Sequence, residues 1–182
     1  TLPLHPWKNT LQHLFHHGSN QIQRAVLELA WHQPGIITDL LLLNSINEES
    51  ELAPFAISCA GDRMIPGIAE KVSPFLKRDN PSLSAAAAVG ILKQDSNHHE
   101  SKLILDSLME SDDPTILCTT IGFLKQSGHW ISTENKKRFL GHESHDVRNH
   151  ILAVFRDSPD SEFLVSIIQN LANVSTFDSA KF

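Results

Sequence analysis

Histidines are the residues with the most evident capacity for chemistry, because 11 of the 182 residues are histidine and imidazole is a common metal ligand. They gather in three clusters: His13, His16 and His17; His98 and His99; and His142, His145 and His150. On a helix, His13 would share one face with His16 or His17, as ligand pairs do. No cluster has the acidic partner of an H-E-x-x-H motif. We therefore interpret the histidines as exposed polar residues near helix turns and predict no metal site.

Motifs for nucleophilic or nucleotide chemistry are absent from the sequence. There is no G-x-S-x-G nucleophile elbow, and the eight glycines form no G-x-G-x-x-G or P-loop pattern. Trp7, Trp31 and Trp130 could line a groove, but we expect Trp31 and Trp130 to pack between repeats. The sequence thus predicts no catalytic residue and no cofactor, and it favours a function other than catalysis.

Composition and charge argue against two classes of partner. The 15 Lys and Arg residues are outnumbered by 21 Asp and Glu, giving a formal net charge of −6. The chain therefore lacks the basic surface that neutralises phosphates in nucleic-acid binding. Its longest apolar stretch, residues 36–43, contains Thr38 and Asp39 and is far shorter than the roughly 20 residues that cross a bilayer. We expect no nucleic-acid partner and no membrane insertion.

The two cysteines, Cys59 and Cys118, fit neither a C-x-x-C redox motif nor a zinc site. We expect both to be small buried apolar side chains. Because the sequence has no disulfide framework, a cytoplasmic location is expected.

An internal repeat predicts the elements that position these residues. From Phe139, apolar residues follow at offsets of eight, twelve, thirteen and sixteen: Val147, Ile151, Leu152 and Phe155. This is the spacing of one helical face. Four more starting residues give the same pattern, with Thr120 as its polar member: Leu14, Asn44, Phe75 and Leu108. The five starts are 30, 31, 33 and 31 residues apart, which indicates a repeat architecture.

Helix-start signals occur in register with this repeat. Four residues after the starts lie Gly18, Glu48, Asp79, Asp112 and Glu143. Carboxylates at four of these five positions are expected to cap the second helix and to complement its dipole. Pro81 and Pro114 follow closely, at positions where a missing N–H has no cost. Each unit is predicted to be a helix, a short turn and a second helix.

The last unit has an acidic turn followed by Asp146-Val147-Arg148, and Ile22-Gln23-Arg24 is a looser version. Helical hairpins of 30 to 33 residues with this signature resemble HEAT repeats, in particular the short HEAT-like repeats of the phycobilisome-lyase type. The resemblance covers roughly residues 5–172. It implies an all-α, right-handed superhelix of about five hairpins with the second helices on a concave binding face.

We predict a single repeat domain, residues 1–182, with second helices near 20–32, 49–60, 81–94, 114–127 and 145–156. Residues 176–182 resemble the opening of another second helix, so we expect the chain to be part of a longer solenoid. Ala85 to Ala88 lie on the middle second helix. They either allow close helix packing, which we favour, or form a shallow spot for a partner's side chain.

The resemblance implies a protein-interaction scaffold or regulatory module that binds a protein partner on its concave face. The predicted contact residues are Glu28, Arg156, Arg148 and Arg24. Arg24 and Arg148 are chosen because arginine is enriched in interface hot spots, and Glu28 and Arg156 because they lie nearer the expected exposed side of second helices. For Arg24 and Arg148 the alternative is structural, because the equivalent arginine of this repeat class pairs with an adjacent turn. Two enzymatic alternatives stay open. One is a bilin lyase or isomerase subunit, and the other is a DNA-repair glycosylase solenoid, which the net charge disfavours.

Overall fold

The computed structural model describes residues 7–33, 35–47, 49–124 and 131–157, together with Val165. Within these ranges the regular structure is helical and no β-strand occurs. The predicted all-α class is therefore confirmed for this part of the chain. None of the helices in these ranges is long and apolar enough to cross a membrane.

Ten α-helices follow one another in the described ranges: α1 (Lys8–His17), α2 (Asn20–His32), α3 (Asp39–Ser45), α4 (Ala53–Asp62), α5 (Ile68–Val72), α6 (Pro81–Gln94), α7 (His99–Met109), α8 (Pro114–Leu124), α9 (Thr133–Leu140) and α10 (His145–Asp157). A 3-10 helix, Ser73–Lys77, continues directly from α5. α4 begins later than the repeat predicts, because a turn precedes it. In that turn the Asn47 carbonyl accepts a hydrogen bond from the Ser50 amide at 3.0 Å.

The side chains that cap two of the second helices lie one residue after the predicted acidic positions Asp79 and Asp112. The Asn80 side chain accepts a hydrogen bond from the Leu83 amide at 3.1 Å. Likewise, Asp113 accepts one from the Thr115 amide at 2.7 Å. Each of these capping residues precedes a proline, which holds the residue before it in an extended conformation. An N-cap residue needs that conformation, so the proline selects which polar side chain becomes the cap.

The chain divides into two compact units, residues 1–123 and 124–182. In the first unit, α1 packs against α2, α3 against α4, and α5 with the 3-10 helix against α6. The second helices α2, α4 and α6 contact one another in sequence order, and α7 packs against α6. In the second unit, α9 packs against α10, where the Lys136 ammonium lies 5.8 Å from the centre of the Phe155 ring.

Burial follows the repeat register in all five second helices. Twelve and sixteen residues after the starts, every side chain is buried: Val26, Ala30, Ala56, Ala60, Ala87, Ile91, Thr120, Leu124, Ile151 and Phe155. The polar member is satisfied locally, because the Thr120 hydroxyl donates to the Ile116 carbonyl at 2.8 Å. Three apolar residues of the pattern depart from it, since Ile22 is 42% exposed, Leu152 is 44% exposed and Ile116 is half-buried.

Other expectations have mixed outcomes. Cys59 is fully buried, as predicted, whereas Cys118 is only half-buried. Trp31 is half-buried. Trp7 is 65% exposed. Predictions that involve Glu48, Trp130, the end of the fourth second helix at 125–127 and residues 176–182 lie outside the described residues.

α6 is enclosed on all sides, because every residue from Leu83 to Leu92 is buried. The Ala85–Ala88 run therefore serves close packing and offers no exposed spot to a partner. α4 lies close to α6 at Gly61, where an added Cβ would be 3.0 Å from the Gly90 Cα. A side chain at this point would require the backbone of Gly90 to shift by a few tenths of an ångström. Glycine at position 61 thus sets the distance between the two helices.

A buried ion pair joins α4 and α6 near their C-terminal ends. The Asp62 carboxylate contacts the Lys93 ammonium, and their side chains are only 19% and 13% exposed. Burial lowers the pKa of Lys93 to about 8, and the neighbouring Cys59 acts in the opposite direction. Lys93 therefore still carries its proton at neutral pH and needs the carboxylate as a partner. Burial also raises the pKa of the Cys59 thiol, so this cysteine is an uncharged core residue.

Two long polar side chains at the ends of second helices form hydrogen bonds with backbone oxygens of preceding segments. The Arg63 guanidinium donates to the backbone oxygens of Ala30 at 2.7 Å and Ile37 at 2.9 Å. At the equivalent position of the next repeat, the Gln94 amide donates to the Ile65 oxygen at 2.6 Å. These bonds satisfy carbonyls that the helix ends and links leave without partners. They hold the link between α2 and α3 and the link between α4 and α5.

Gly61→Ala tests the close approach of α4 and α6. We expect the free energy of unfolding to fall by about 1–3 kcal/mol, because the helices must separate to admit the methyl group. Gly122→Ala on α8 is the matched control, since a Cβ there meets nothing within 4 Å. Alanine should stabilise that helix by up to about 1 kcal/mol. Urea denaturation followed by circular dichroism measures both changes, and effects of the same sign would contradict the close approach.

Asp62→Asn tests the buried ion pair. At pH 7 we expect a loss of about 3 kcal/mol, because the buried Lys93 ammonium loses its counter-charge. Folded Lys93 releases its proton near pH 8 and unfolded lysine near 10.5. Between these values the unfolded state binds more protons, so the stability of the variant should rise with pH. Denaturant unfolding at pH 7 and at pH 10 measures this rise.

The exposed pair Lys77–Glu100, with an N–O distance of 3.0 Å, provides the control. Glu100→Gln should change stability by at most about 1 kcal/mol at pH 7, because solvent screens such pairs. If Asp62→Asn lowers the free energy of unfolding no more than this control does, the Lys93 ammonium does not need the Asp62 carboxylate as its partner.

Candidate protein-binding surface

α2 presents an ion pair on the side opposite its buried residues. Val26, Leu27 and Ala30 face the core, whereas Arg24 and Glu28 are 53% and 56% exposed. The Arg24 Nε donates to the Glu28 carboxylate at 3.1 Å across one helical turn. A pair this exposed adds less than about 0.5 kcal/mol to stability. Its effect is geometric, because it holds the guanidinium in one orientation.

The oriented guanidinium lies over an aromatic ring of α4. Arg24 Cζ is 4.3 Å from the centre of the Phe55 ring, well inside the range of about 6 Å for cation–π attraction. The half-buried Phe55 ring meets the Phe123 ring of α8 edge-on, with the ring centres 6.4 Å apart. Aromatic quadrupoles favour this arrangement. Arg24, Glu28, Phe55 and Phe123 form what we call the Arg24–Phe55 surface, which lies wholly in the first unit.

Further side chains of α2 are exposed or link it to the next repeat. At the start of the helix, the Asn20 amide donates to the Glu51 carboxylate at 3.4 Å, which links α2 to the turn before α4. Ile22 and Leu29, two helical turns apart, are 42% and 38% exposed, on a different side of the helix from Arg24 and Glu28. Arginine and aromatic residues are enriched in protein interfaces. The Arg24–Phe55 surface thus contains residue types that interfaces favour.

The other two predicted contact residues lie on α10, in the second unit. The Arg148 guanidinium donates to the backbone oxygens of His142 at 2.5 Å and Glu143 at 2.7 Å. These bonds hold the turn that precedes α10. Arg156 lies exposed in the last turn of the same helix. The structure therefore pairs the two predicted residues of α2 with each other and gives Arg148 contacts within its own turn.

Phe55 was missed by the sequence pattern, although a signal for it exists. It lies eleven residues after its repeat start, where the other copies have smaller or polar residues: Ala25, Ala86, Thr119 and His150. A large aromatic side chain in a column of smaller ones marks a position that differs in function or packing. Phe123 has no such signal, because its contact depends on how α8 meets α4. Arg63 was missed because its bonds join segments that are 33 and 26 residues away.

A cleft of about 320 Å³ lies between α1, α2, α3 and the turn before α4. Phe15, Leu41 and Leu52 form its apolar part, and the described polar residues of its lining are His16, Gln23, Asn44, Ser45, Asn47 and Ser50. Among these described residues, His16 is the one that can act as a general acid or base at neutral pH.

Two of the three histidine clusters make local contacts that explain their positions. His98 caps α7 by accepting a hydrogen bond from the Ser101 amide at 3.2 Å. His145 contacts the Asn149 amide at 2.8 Å, and the His150 ring lies 2.9 Å from a backbone oxygen. Among the described residues, no group of three or more histidine, cysteine or acidic side chains converges to hold a metal ion.

Comparisons with models of protein families, with curated proteins and with solved structures give no significant match to this chain. The HEAT-like resemblance therefore stays a prediction. The function has to be inferred from the chemistry of the surface itself.

Arg24 and Phe55 should be energetically coupled. Arg24→Met keeps the length of the side chain without its charge, and Phe55→Leu keeps apolar bulk without the ring face. A double-mutant cycle of unfolding free energies should give a coupling of about 0.5–1 kcal/mol. The same cycle with Lys77→Met in place of the arginine substitution is the control and should be additive. Additivity in both cycles would show that the guanidinium does not rest on the ring in solution.

Proposed function

We propose that this chain is a protein-interaction module, a scaffold or regulatory unit, that binds a protein partner through the Arg24–Phe55 surface. The observation that supports this proposal is the Arg24 guanidinium held 4.3 Å above Phe55 while it is paired with Glu28. Arginine and aromatic residues dominate the binding energy of many interfaces. A side chain that is already oriented also loses less conformational entropy on binding than a mobile one.

The surface favours a partner segment with two chemical features. The half-buried rings of Phe55 and Phe123 suit an apolar or aromatic side chain. Arg24 suits a carboxylate or a backbone carbonyl, because a guanidinium has five donors and Glu28 takes the one on Nε. The two terminal nitrogens can donate a pair of parallel hydrogen bonds to one carboxylate. The expected partner therefore presents an acidic or carbonyl group beside an apolar side chain.

The architecture that we propose around this surface is the right-handed HEAT-like superhelix with second helices on its concave side. Its support is the shared burial of equivalent positions in five second helices. α6 is enclosed, so binding would use α2, α4 and α8 rather than the middle helix. A cytoplasmic location, expected from the pattern of cysteines, is part of the same proposal.

The two enzymatic alternatives receive no comparable support from the described residues. The cleft of about 320 Å³ lies at the lower limit of the roughly 300–1,000 Å³ that pockets for small ligands and cofactors occupy. This disfavours a bilin lyase or isomerase. The net charge of −6 disfavours a glycosylase that must hold DNA phosphates.

Affinity capture from an extract of the native cells tests the proposal with four forms of the chain. The parent chain and Lys77→Glu, an exposed charge reversal elsewhere in the first unit, should retain the same protein. Arg24→Glu should weaken its retention at least about tenfold. The double exchange of Arg24→Glu with Glu28→Arg keeps the ion pair and the net charge but removes the guanidinium from Phe55. We expect it not to restore binding.

Equal retention of one protein by the parent chain and by Arg24→Glu would overturn the proposal. A pigment or nucleic acid that copurifies with all four forms while no protein is retained would also overturn it. Full recovery in the double exchange would show that charge attraction, rather than the stacked arginine, determines binding.

A further inference from the structure

α1 carries two histidine rings that lie close together on an exposed side. His13 and His17 are one helical turn apart, with ring centres 4.6 Å apart and ring planes inclined by 48°. His16 is farther from this pair, because its ring centre is 6.0 Å from that of His17. All three side chains are exposed. The first histidine cluster thus contains one close pair and one neighbour.

The separation of the pair agrees with two imidazoles bound to one metal ion. A late divalent ion binds an imidazole nitrogen at about 2.0–2.1 Å, which places the ring centre about 3.2 Å from the ion. Two such ligands at about 90–110° then have ring centres about 4.5–5.2 Å apart. The observed 4.6 Å falls in this range.

We propose that His13 and His17 form a bidentate site for a late divalent transition ion, of the class of Zn²⁺, Ni²⁺ and Cu²⁺. Neutral imidazole is a preferred ligand of these ions. Because both rings are exposed, the remaining coordination positions are open to water. The site is separate from the Arg24–Phe55 surface and does not depend on it.

Ion binding at this site would reinforce the end of α1. His17 is the last residue of the helix, and the next amide, of Gly18, bonds to the Leu14 oxygen. Helix ends fray because their last carbonyls lack partners within the helix. A bound ion would connect the final turn to the turn before it. The ion binds the folded helix more tightly than the unfolded chain, so it should also raise the melting temperature.

Calorimetric titration of the full chain with ZnCl₂, repeated with NiCl₂, tests the site. We expect one ion per chain and a loss of affinity of at least about tenfold in His13→Ala and in His17→Ala. His16→Ala is the matched control on the same helix and should change the affinity less than about threefold. Circular dichroism establishes that each of these surface variants keeps the helical content of the parent chain.

Nuclear magnetic resonance gives a second readout, because paramagnetic Ni²⁺ broadens signals near the ion. The ring signals of His13 and His17 should broaden before those of the histidines near α7 and α10. Equal affinity in the parent chain, His13→Ala and His17→Ala would overturn the proposal. Uniform broadening of all histidines, or no heat and no broadening at millimolar ion, would overturn it as well.

Discussion

The approach of α4 to α6 at Gly61 and Gly90 is the constraint on which the first unit depends. The space for an added Cβ at Gly61 ends 3.0 Å away at the backbone of Gly90, and the alanines of α6 present small side chains to their neighbours. Dense packing of this kind tolerates few changes in volume. The C-terminal ends of α4 and α6 are consequently brought together. The polar residues at these ends, Asp62 and Lys93, have to be paired within the protein.

Contacts of polar side chains with the second repeat determine where α2 lies. Three contacts join α2 to the second repeat along its length: Asn20 with Glu51, Arg24 with Phe55, and the Ala30 oxygen with Arg63. Only the last is well buried, since the Arg63 side chain is 9% exposed. Loss of a buried donor costs more than an exposed pair contributes. Arg63 therefore anchors the C-terminal end of α2, and the exposed contacts set the orientation of its outer side.

The helical class and the main buried positions could be predicted from the sequence, because both follow from apolar spacing. Offsets of twelve and sixteen are buried in every copy, since residues four apart share a helical face. Ile22 is exposed although its residue type and spacing fit the pattern. Its exposure depends on packing between helices, which the repeat pattern does not encode. The observed capping residues lie one position after the predicted acidic residues. The reason is that proline, rather than charge, fixes the backbone before the helix.

The candidate surface could be predicted only in part. Arg24 and Glu28 were accessible to sequence reasoning, because a residue and its fourth successor meet on a helix. Phe55 and Phe123 were not, since their rings meet across α4 and α8, and the spacing of residues within one helix does not give the distance between two helices. Arg148 fits the signature of its repeat class, and its bonds to the turn before α10 agree with the structural interpretation.

The enclosure of α6 has a consequence for how the first unit loses its structure. In a stack whose repeats touch only their neighbours, one repeat can unfold while the others persist. α4, α5, the 3-10 helix and α7 all pack against α6. The release of any one of them therefore exposes apolar surface of α6. Residues 53–109 should consequently open as one cooperative block. The amide protons of α6 would then exchange with solvent only when that whole block unfolds.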